Sequence, residues 1–182
     1  MIILASASPR RKELFSVITN DFKIIPADID ETVPTGIEAE SVAEFLSVRK
    51  AKAVSDGNPC DTIIGCDTVV ICDGEILGKP KDEKDAKRML LALSGKTHKV
   101  ITGCAIFKNG KSLSFSETTE VTFYKLSEEE IEDYIATNEC FDKAGAYGIQ
   151  GYGSLLVEKI NGDYFNVVGL PVSKLNKILK KI

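Results

Sequence analysis

The sequence predicts an α/β protein built on a mixed sheet, and three observations carry that expectation. Apolar runs of strand length alternate with amphipathic helical segments over the first half of the chain. A block of alternating, hairpin-forming strands then interrupts the pattern. With 182 residues, 43% of them hydrophobic and 27% charged, the chain is long enough to bury a sizeable core.

Each element follows from its own pattern. Ile2–Ala5 reads as a short buried strand, and a helix opens at Pro9 with Leu14, Val17 and Ile18 on one face. "FKIIPADID" reads as a second strand ending in an acidic turn. From about Glu40 to Val54 the spacing predicts a helix with Val42, Phe45, Leu46 and Ala53 inward. "DTIIGCDTVVICDGEILG" reads as a long central strand, an Asp73–Gly74 turn and a return strand. Asp82–Leu93 is an amphipathic helix with Ala86, Met89, Leu90 and Leu93 at helical spacing.

In "THKVITGCAIFKNGKSLSFSETTEVTFYKL" the Asn109–Gly110 turn joins two strands, and a third strand ends the block. Ser127–Glu130 is a capping box that opens a helix through Tyr134 and Ile135. The loop "NECFDKAGAYGIQGYGS" leads into "LLVEKINGDYFNVV", read as a hairpin. A last helix carries Val172, Leu175, Ile178, Leu179 and Ile182 on one side. No repeat, linker or low-complexity stretch divides the chain, so residues 1–182 are expected to form a single domain. Its middle hairpins would make a second lobe, with a cleft between the lobes.

Composition excludes several function classes. A net charge of −4 argues against nucleic-acid binding by bulk electrostatics, so any polyanionic ligand needs a local basic cluster. No Trp and no basic-aromatic stripe offers a platform for stacking bases. No apolar run approaches the roughly 20 residues of a membrane span. The N-terminus lacks the charged and apolar regions of a signal peptide, which points to a cytoplasmic protein that engages no membrane. The 5 cysteines are odd in number and contain no C-x-x-C pair, against both a disulfide framework and a zinc site. Cys66 and Cys72 lie in apolar runs and are expected to be buried.

Two motifs are decoys. "SGKT" at Ser94–Thr97 imitates the end of a P-loop, but Leu90 stands where the first glycine belongs, and the order is helix then strand. His98, the only histidine, heads a strand without a nucleophilic Ser or Cys paired to it and reads as structural.

The remaining candidates are carboxylates, cations and a helix start. In "SASPRR", Ser8 caps a helix and Pro9 fills its first turn, with Arg10 and Arg11 on the surface. The same geometry makes a phosphate cradle: free N–H groups, the hydroxyls of Ser6 and Ser8, and two guanidiniums. Asp67 interrupts the apolar run of "IIGCDTVVI", where a buried unpaired carboxylate costs several kcal/mol. A residue kept there at such a cost is a metal ligand or a base.

Asp28, Asp30 and Glu31 form an acidic turn that could hold Mg²⁺ beside phosphates. Lys50, Lys52 and Lys79 could join the arginines in neutralising a triphosphate. In "DKAGAYGIQGYG" the glycines permit close backbone approach, and Gln150 offers an amide able to read a base edge. This donor set suits metal-assisted phosphoryl or nucleotidyl chemistry.

These segments, together with "KAKAV", "GEILGKP", "LSGKTHKVITG" and "INGDYFNVVGLP", resemble the Maf family of nucleoside triphosphate pyrophosphatases nearly from end to end. The resemblance implies the fold of inosine triphosphate pyrophosphatases, an elongated mixed sheet with flanking helices and two lobes around a central cleft. It implies hydrolysis of a nucleoside triphosphate to the monophosphate and pyrophosphate with a divalent cation, usually Mg²⁺ or Mn²⁺. Asp67 falls on the family's proton acceptor. Ser6, Arg10 and Arg11 fall on its phosphate-binding segment, and Glu31, Lys50 and Lys79 on charged positions of the cleft, with Glu31 a metal ligand. Members acting on dTTP and UTP carry Arg, Thr and Gln at three positions, and this sequence has Arg10, Thr68 and Gln150. Homodimers are also implied. The family's label as an inhibitor of septum formation leaves an alternative: a nucleotide-binding regulator of cell division that acts through a protein partner.

Overall fold

The computed structural model describes residues 1–182. One seven-stranded sheet runs in the order β2-β1-β3-β5-β6-β7, with β4 paired to β3 outside that path. β1 (Ile2–Ala5) pairs in parallel with both β2 (Lys23–Ile24) and β3 (Thr62–Cys72). β4 (Glu75–Leu77) returns antiparallel to β3, and β7 (Val157–Asn161) runs antiparallel to β6 (Lys111–Phe123). The sheet is therefore mixed, as the sequence predicts.

The chain divides into two compact units. The first comprises Met1–Thr68, Thr102–Glu117 and Gly169–Ile182, and the second Val69–Ile101 and Thr118–Val168. The divisions fall inside β3, β5 (Thr97–Lys108) and β6.

In the first unit, α1 (Pro9–Ser16) starts where Ser8 Oγ accepts the Arg11 N–H, a cap worth about 1 kcal/mol. Its inward residues are Leu14 and Phe15, whereas Val17 is 76% exposed and lies past the helix end. β2 is much shorter than the strand expected from Phe22 to Asp30. The Ile25 N–H still reaches Leu4 O, but Pro26 then has no N–H to offer the ladder.

α2 (Val42–Ser55) buries Val42, Ala43, Leu46, Ser47, Ala51 and Val54. Ala53, expected inward, is exposed. Two glycines let this helix lie directly on the strands. A Cβ on Gly65 of β3 would stand 2.3 Å from Ser47 O, and one on Gly103 of β5 2.3 Å from Ala43 O. Ile3, Ala5, Ile63 and Ala105 complete the apolar bed under Ala51 and Val54. The last helix, α6 (Val172–Leu179), buries Leu175 but leaves Ile182 45% exposed.

In the second unit, Asp73 and Gly74 both take positive φ, forming the tight turn the sequence predicts between β3 and β4. α3 (Glu83–Leu93) is capped by Asp82 and buries Ala86, Met89, Leu90 and Leu93. α4 (Glu128–Ala136) carries the full Ser127–Glu130 capping box. These two helices share a core with Val70, Leu77, Val100, Val121 and Phe123.

Two expectations fail. No third strand follows the Asn109–Gly110 turn, because the alternation from Lys111 to Phe123 meets no breaker and stays one strand. "LLVEKINGDYFNVV" is not a hairpin either. After β7, Asp163 Oδ1 accepts the Phe165 N–H at 2.9 Å and starts the short helix α5 (Tyr164–Val168). Asn166 in that helix is fully buried, its amide donating to Val100 O and Thr119 Oγ1.

Candidate active site

Strand alternation decides what each residue of β3 can reach. Gly65 and Asp67 point to the same face, so the face against which α2 packs closely at Gly65 also carries Asp67. One turn along α2 from Ser47, Lys50 extends over that face, with Nζ 2.6 Å from Asp67 Oδ1. The same Nζ lies 2.8 Å from Glu31 Oε1. Two carboxylates from separate segments thus converge on one ammonium. The lysine and aspartate side chains are only 12% and 11% exposed, whereas Glu31 is 59% exposed.

Burial pushes the Asp67 carboxyl above its ordinary range, while the charges of Lys50 and Arg11 pull it back. The balance is upward, so Asp67 is a stronger base than a solvated aspartate. The acidic segment is held against α2 by neighbouring residues of that helix. Lys50 takes Glu31, and Arg49 donates to Thr32 O at 3.1 Å. Asp30 turns inward on its own segment, accepting from the Thr32 N–H and hydroxyl. Asp28 is exposed, and Lys52 pairs with Asp56 on the surface.

The other face of β3 meets Arg11. Its Nε donates to Gly169 O at 2.9 Å, one terminal nitrogen to Cys66 O at 2.9 Å and Ser6 Oγ at 3.4 Å, and the other to Thr68 Oγ1 at 2.9 Å. Four of the five guanidinium N–H groups are thereby used within the protein. Arg11 is a bracket that joins the end of β1, the middle of β3 and the start of the last segment. Ser6 is buried and accepts from both Arg11 and the Ser8 N–H, so its hydroxyl proton remains to be donated. Thr68 Oγ1 also contacts Thr102 Oγ1 at 2.9 Å. Arg10 is half-buried at the first turn of α1.

Sequence reasoning missed Gly65, Gly103, Thr102 and Gly169. The first two carried a signal, since glycine inside an apolar strand marks close backbone approach. Gly169 sits at φ +123°, where a side chain is strained, and its carbonyl is a ligand of Arg11. No local pattern marks that role.

Lys79 and Gln150 belong to the second unit. Lys79 is exposed directly after Gly78, whose carbonyl accepts the Gly145 N–H at 3.0 Å. The β4 exit and the glycine loop are therefore tied together. Gly145 holds φ +70° against Val70, and the loop folds on itself so that a Cβ on Gly153 would strike Gly148 O. Gln150 is exposed, and its amide makes no cap to the short turn it precedes. Of the two decoys, Lys96 pairs with Asp73 at 2.7 Å, and His98 is buried. Cys66 and Cys72 are buried as well, with Cys66 Sγ 3.7 Å from Cys104 Sγ.

No cluster of three or more His, Cys, Asp or Glu side chains forms a ready metal cage. The Glu31–Asp67 pair nevertheless fits Mg²⁺, which binds through one or two carboxylates and completes its shell with water and phosphate oxygens. The two carboxylates share Lys50 as their direct ion-pair partner.

The family described as "Maf-like protein" matches residues 1–182. A Bacillus cereus protein named dTTP/UTP pyrophosphatase is 49% identical over 180 residues, covering 99% of this chain and 94% of the relative. Its counterpart from strain AH187, of the same name, is 50% identical over the same span. Among solved structures, the Staphylococcus aureus Ham1 protein superposes with a TM-score of 0.62 at 16% identity, over 99% of this chain and 98% of that one. At that identity the likeness is one of fold.

Proposed function

From a chain that belongs to the Maf family, we propose an enzyme that hydrolyses dTTP and UTP to the nucleoside monophosphate and pyrophosphate. Support comes from two curated relatives at about half identity that bear the name of that activity. The observation that carries the chemistry is Asp67, buried on β3 and 2.6 Å from the Lys50 ammonium.

In this reading a water attacks the α-phosphorus and the bond to the bridging oxygen of the β-phosphate breaks. Asp67 is the base. Its Oδ1 accepts from Lys50, so the other carboxylate oxygen takes the proton of the water. Raised by burial, the carboxylate binds that proton more readily, and Lys50 keeps it anionic beforehand. Ser6 donates its hydroxyl, Arg10 supplies positive charge, and Arg11 offers its one remaining N–H while bracing Cys66 and Thr68. Ser8 contributes chiefly by capping α1.

Glu31 and Asp67 would hold the divalent cation, Mg²⁺ or Mn²⁺, which when bound neutralises charge developing on phosphate oxygens. Lys79 is read as a further phosphate contact. Gln150 is read as the selector of the base, since its amide matches both the N3 donor and the O4 acceptor of uracil or thymine. Such an enzyme of the free nucleotide pool belongs in the cytoplasm, and no helix of the chain is long and apolar enough to cross a membrane.

The deciding experiment is product analysis with a panel of nucleoside triphosphates, with Mg²⁺ and after chelation. Metal-dependent release of pyrophosphate with UMP or dTMP is expected. Nucleotide binding without turnover across the panel would overturn the assignment in favour of a regulator.

A further inference from the structure

The second unit buries a polar pair that the reaction does not use. His98 at the head of β5 is 2% exposed, with Nε2 2.7 Å from the hydroxyl of Tyr147, itself 5% exposed. The two rings and Phe123 meet edge to face in all three pairings, with centroids 4.7 to 5.3 Å apart. Nδ1 of the imidazole is buried with no hydrogen-bond partner. The imidazole and the phenol share one hydrogen bond, whichever of the two donates. An apolar ring would fill the same space without leaving a nitrogen unsatisfied. What the imidazole adds is that one hydrogen bond.

Tyr147 lies in the glycine loop, three residues before Gln150. The loop has other anchors on either side of it. Gly145 N–H donates to Gly78 O at 3.0 Å and packs on Val70, and Gly148 N–H donates to Tyr134 Oη at 3.2 Å. Beyond Gly148, Ile149 is half-buried and Gln150 is exposed, and the Tyr152 and Gly153 N–H groups donate to Glu139 at 3.3 and 3.4 Å. The Tyr147 side chain adds a tie from this segment to the head of β5, where His98 is its polar partner.

We propose that His98 is a positioning residue for nucleobase recognition: its hydrogen bond to Tyr147 sets the loop that carries Gln150, and with it the preference for uracil and thymine. The inference rests on the reading of Gln150 given above. It assigns to a buried histidine, distant in sequence from the glycine loop, a share in substrate choice.

UTP and CTP differ at the base edge alone, so the ratio of their kcat/KM values reports base recognition separately from phosphate chemistry. That ratio is to be measured for wild type, Gln150→Ala, Tyr147→Phe, His98→Leu and His98→Gln, each checked for cooperative thermal unfolding. Gln150→Ala is expected to lower the ratio about tenfold. Tyr147→Phe and His98→Leu are expected to lower it about fivefold, through a higher KM for UTP. His98→Gln, whose amide can donate to the same hydroxyl, restores much of the preference. Tyr147→Phe removes one oxygen and decides the matter if His98→Leu does not fold.

A ratio unchanged in Tyr147→Phe while Gln150→Ala lowers it overturns this inference and leaves the reading of Gln150 standing. A ratio unchanged in Gln150→Ala overturns both. An equal fall in kcat for UTP and CTP also overturns the inference, because a general loosening of the unit would act on both nucleotides alike.

Discussion

Lys50 Nζ stands 2.6 Å from Asp67 Oδ1, joining a helix to the middle of a strand across 17 residues of sequence. The contact settles how an apolar strand accommodates a carboxylate. Its charge is met by one ammonium that is itself only 12% exposed, and that ammonium is shared with Glu31. A pair this well enclosed is costly to break from one side.

Asp67→Asn is nevertheless expected to fold, since the amide oxygen still accepts from Lys50 and the ammonium keeps Glu31 as its ion-pair partner. Turnover of UTP should fall by about 10²–10⁴-fold, the usual contribution of a positioned base. Steady-state pyrophosphate release alongside circular dichroism checks both halves. Near-wild-type turnover would sink the assignment of Asp67 as base.

Gly65→Ala tests the approach that brings Lys50 to Asp67. The added Cβ would stand 2.3 Å from Ser47 O and 2.6 Å from Ala51 N, both backbone atoms of α2. The helix must shift, at a cost of about 1–3 kcal/mol. Urea unfolding should show the loss, and activity should fall with it. An alanine variant of full stability and activity would show that the helix does not need this seat.

Arg11→Lys preserves the charge and removes the fork. One ammonium cannot serve Gly169 O, Cys66 O and Thr68 Oγ1 together, so buried carbonyls lose their donor. A stability loss of about 2–4 kcal/mol is expected, read from the denaturant midpoint. A neutral effect would reduce Arg11 to a simple phosphate contact.

His98 gives the second unit a pH dependence. Burial holds the imidazole down to about 4, against 6.5 in the unfolded chain. Tyr147 contributes a hydroxyl that burial keeps protonated, and Phe123, the other ring against it, carries no charge. Between those pH values the unfolded state binds more protons, so this contribution is complete above about pH 6.5 and is lost as pH falls toward 4. The span corresponds to about 3 kcal/mol. Unfolding free energies of wild type and His98→Gln from pH 7 to 4.5 should diverge, the variant losing less. Parallel curves would contradict the buried neutral imidazole.

Much of this protein follows from local sequence. Ser8 and Ser127 are helix caps, and Asp73–Gly74 and Asn109–Gly110 are turns, because each depends on hydrogen bonds and dihedral preferences within a few residues. The misreadings share a cause as well. "GDYFN" has the aromatic residues of a strand, but a single Asp163 hydrogen bond turns it into a helix, and periodicity does not register one bond. In the same way the strand expected at Phe22 ends early, because Pro26 cannot donate to the ladder.

Asp67 was legible because a charge in an apolar run is conspicuous by cost. Its partners were not legible, since Lys50 looks like any lysine on a helix until Gly65 and Gly103 let that helix settle on the strands. Nor does sequence distinguish Arg10 from Arg11. The fold makes Arg11 a bracket by bringing Cys66, Thr68 and Gly169, far apart along the chain, within reach of one guanidinium. Sequence singled out the candidate residues, because cost, capping and turn preference are local. Tertiary structure alone decided which of them act on one another, because that depends on how closely the backbones approach.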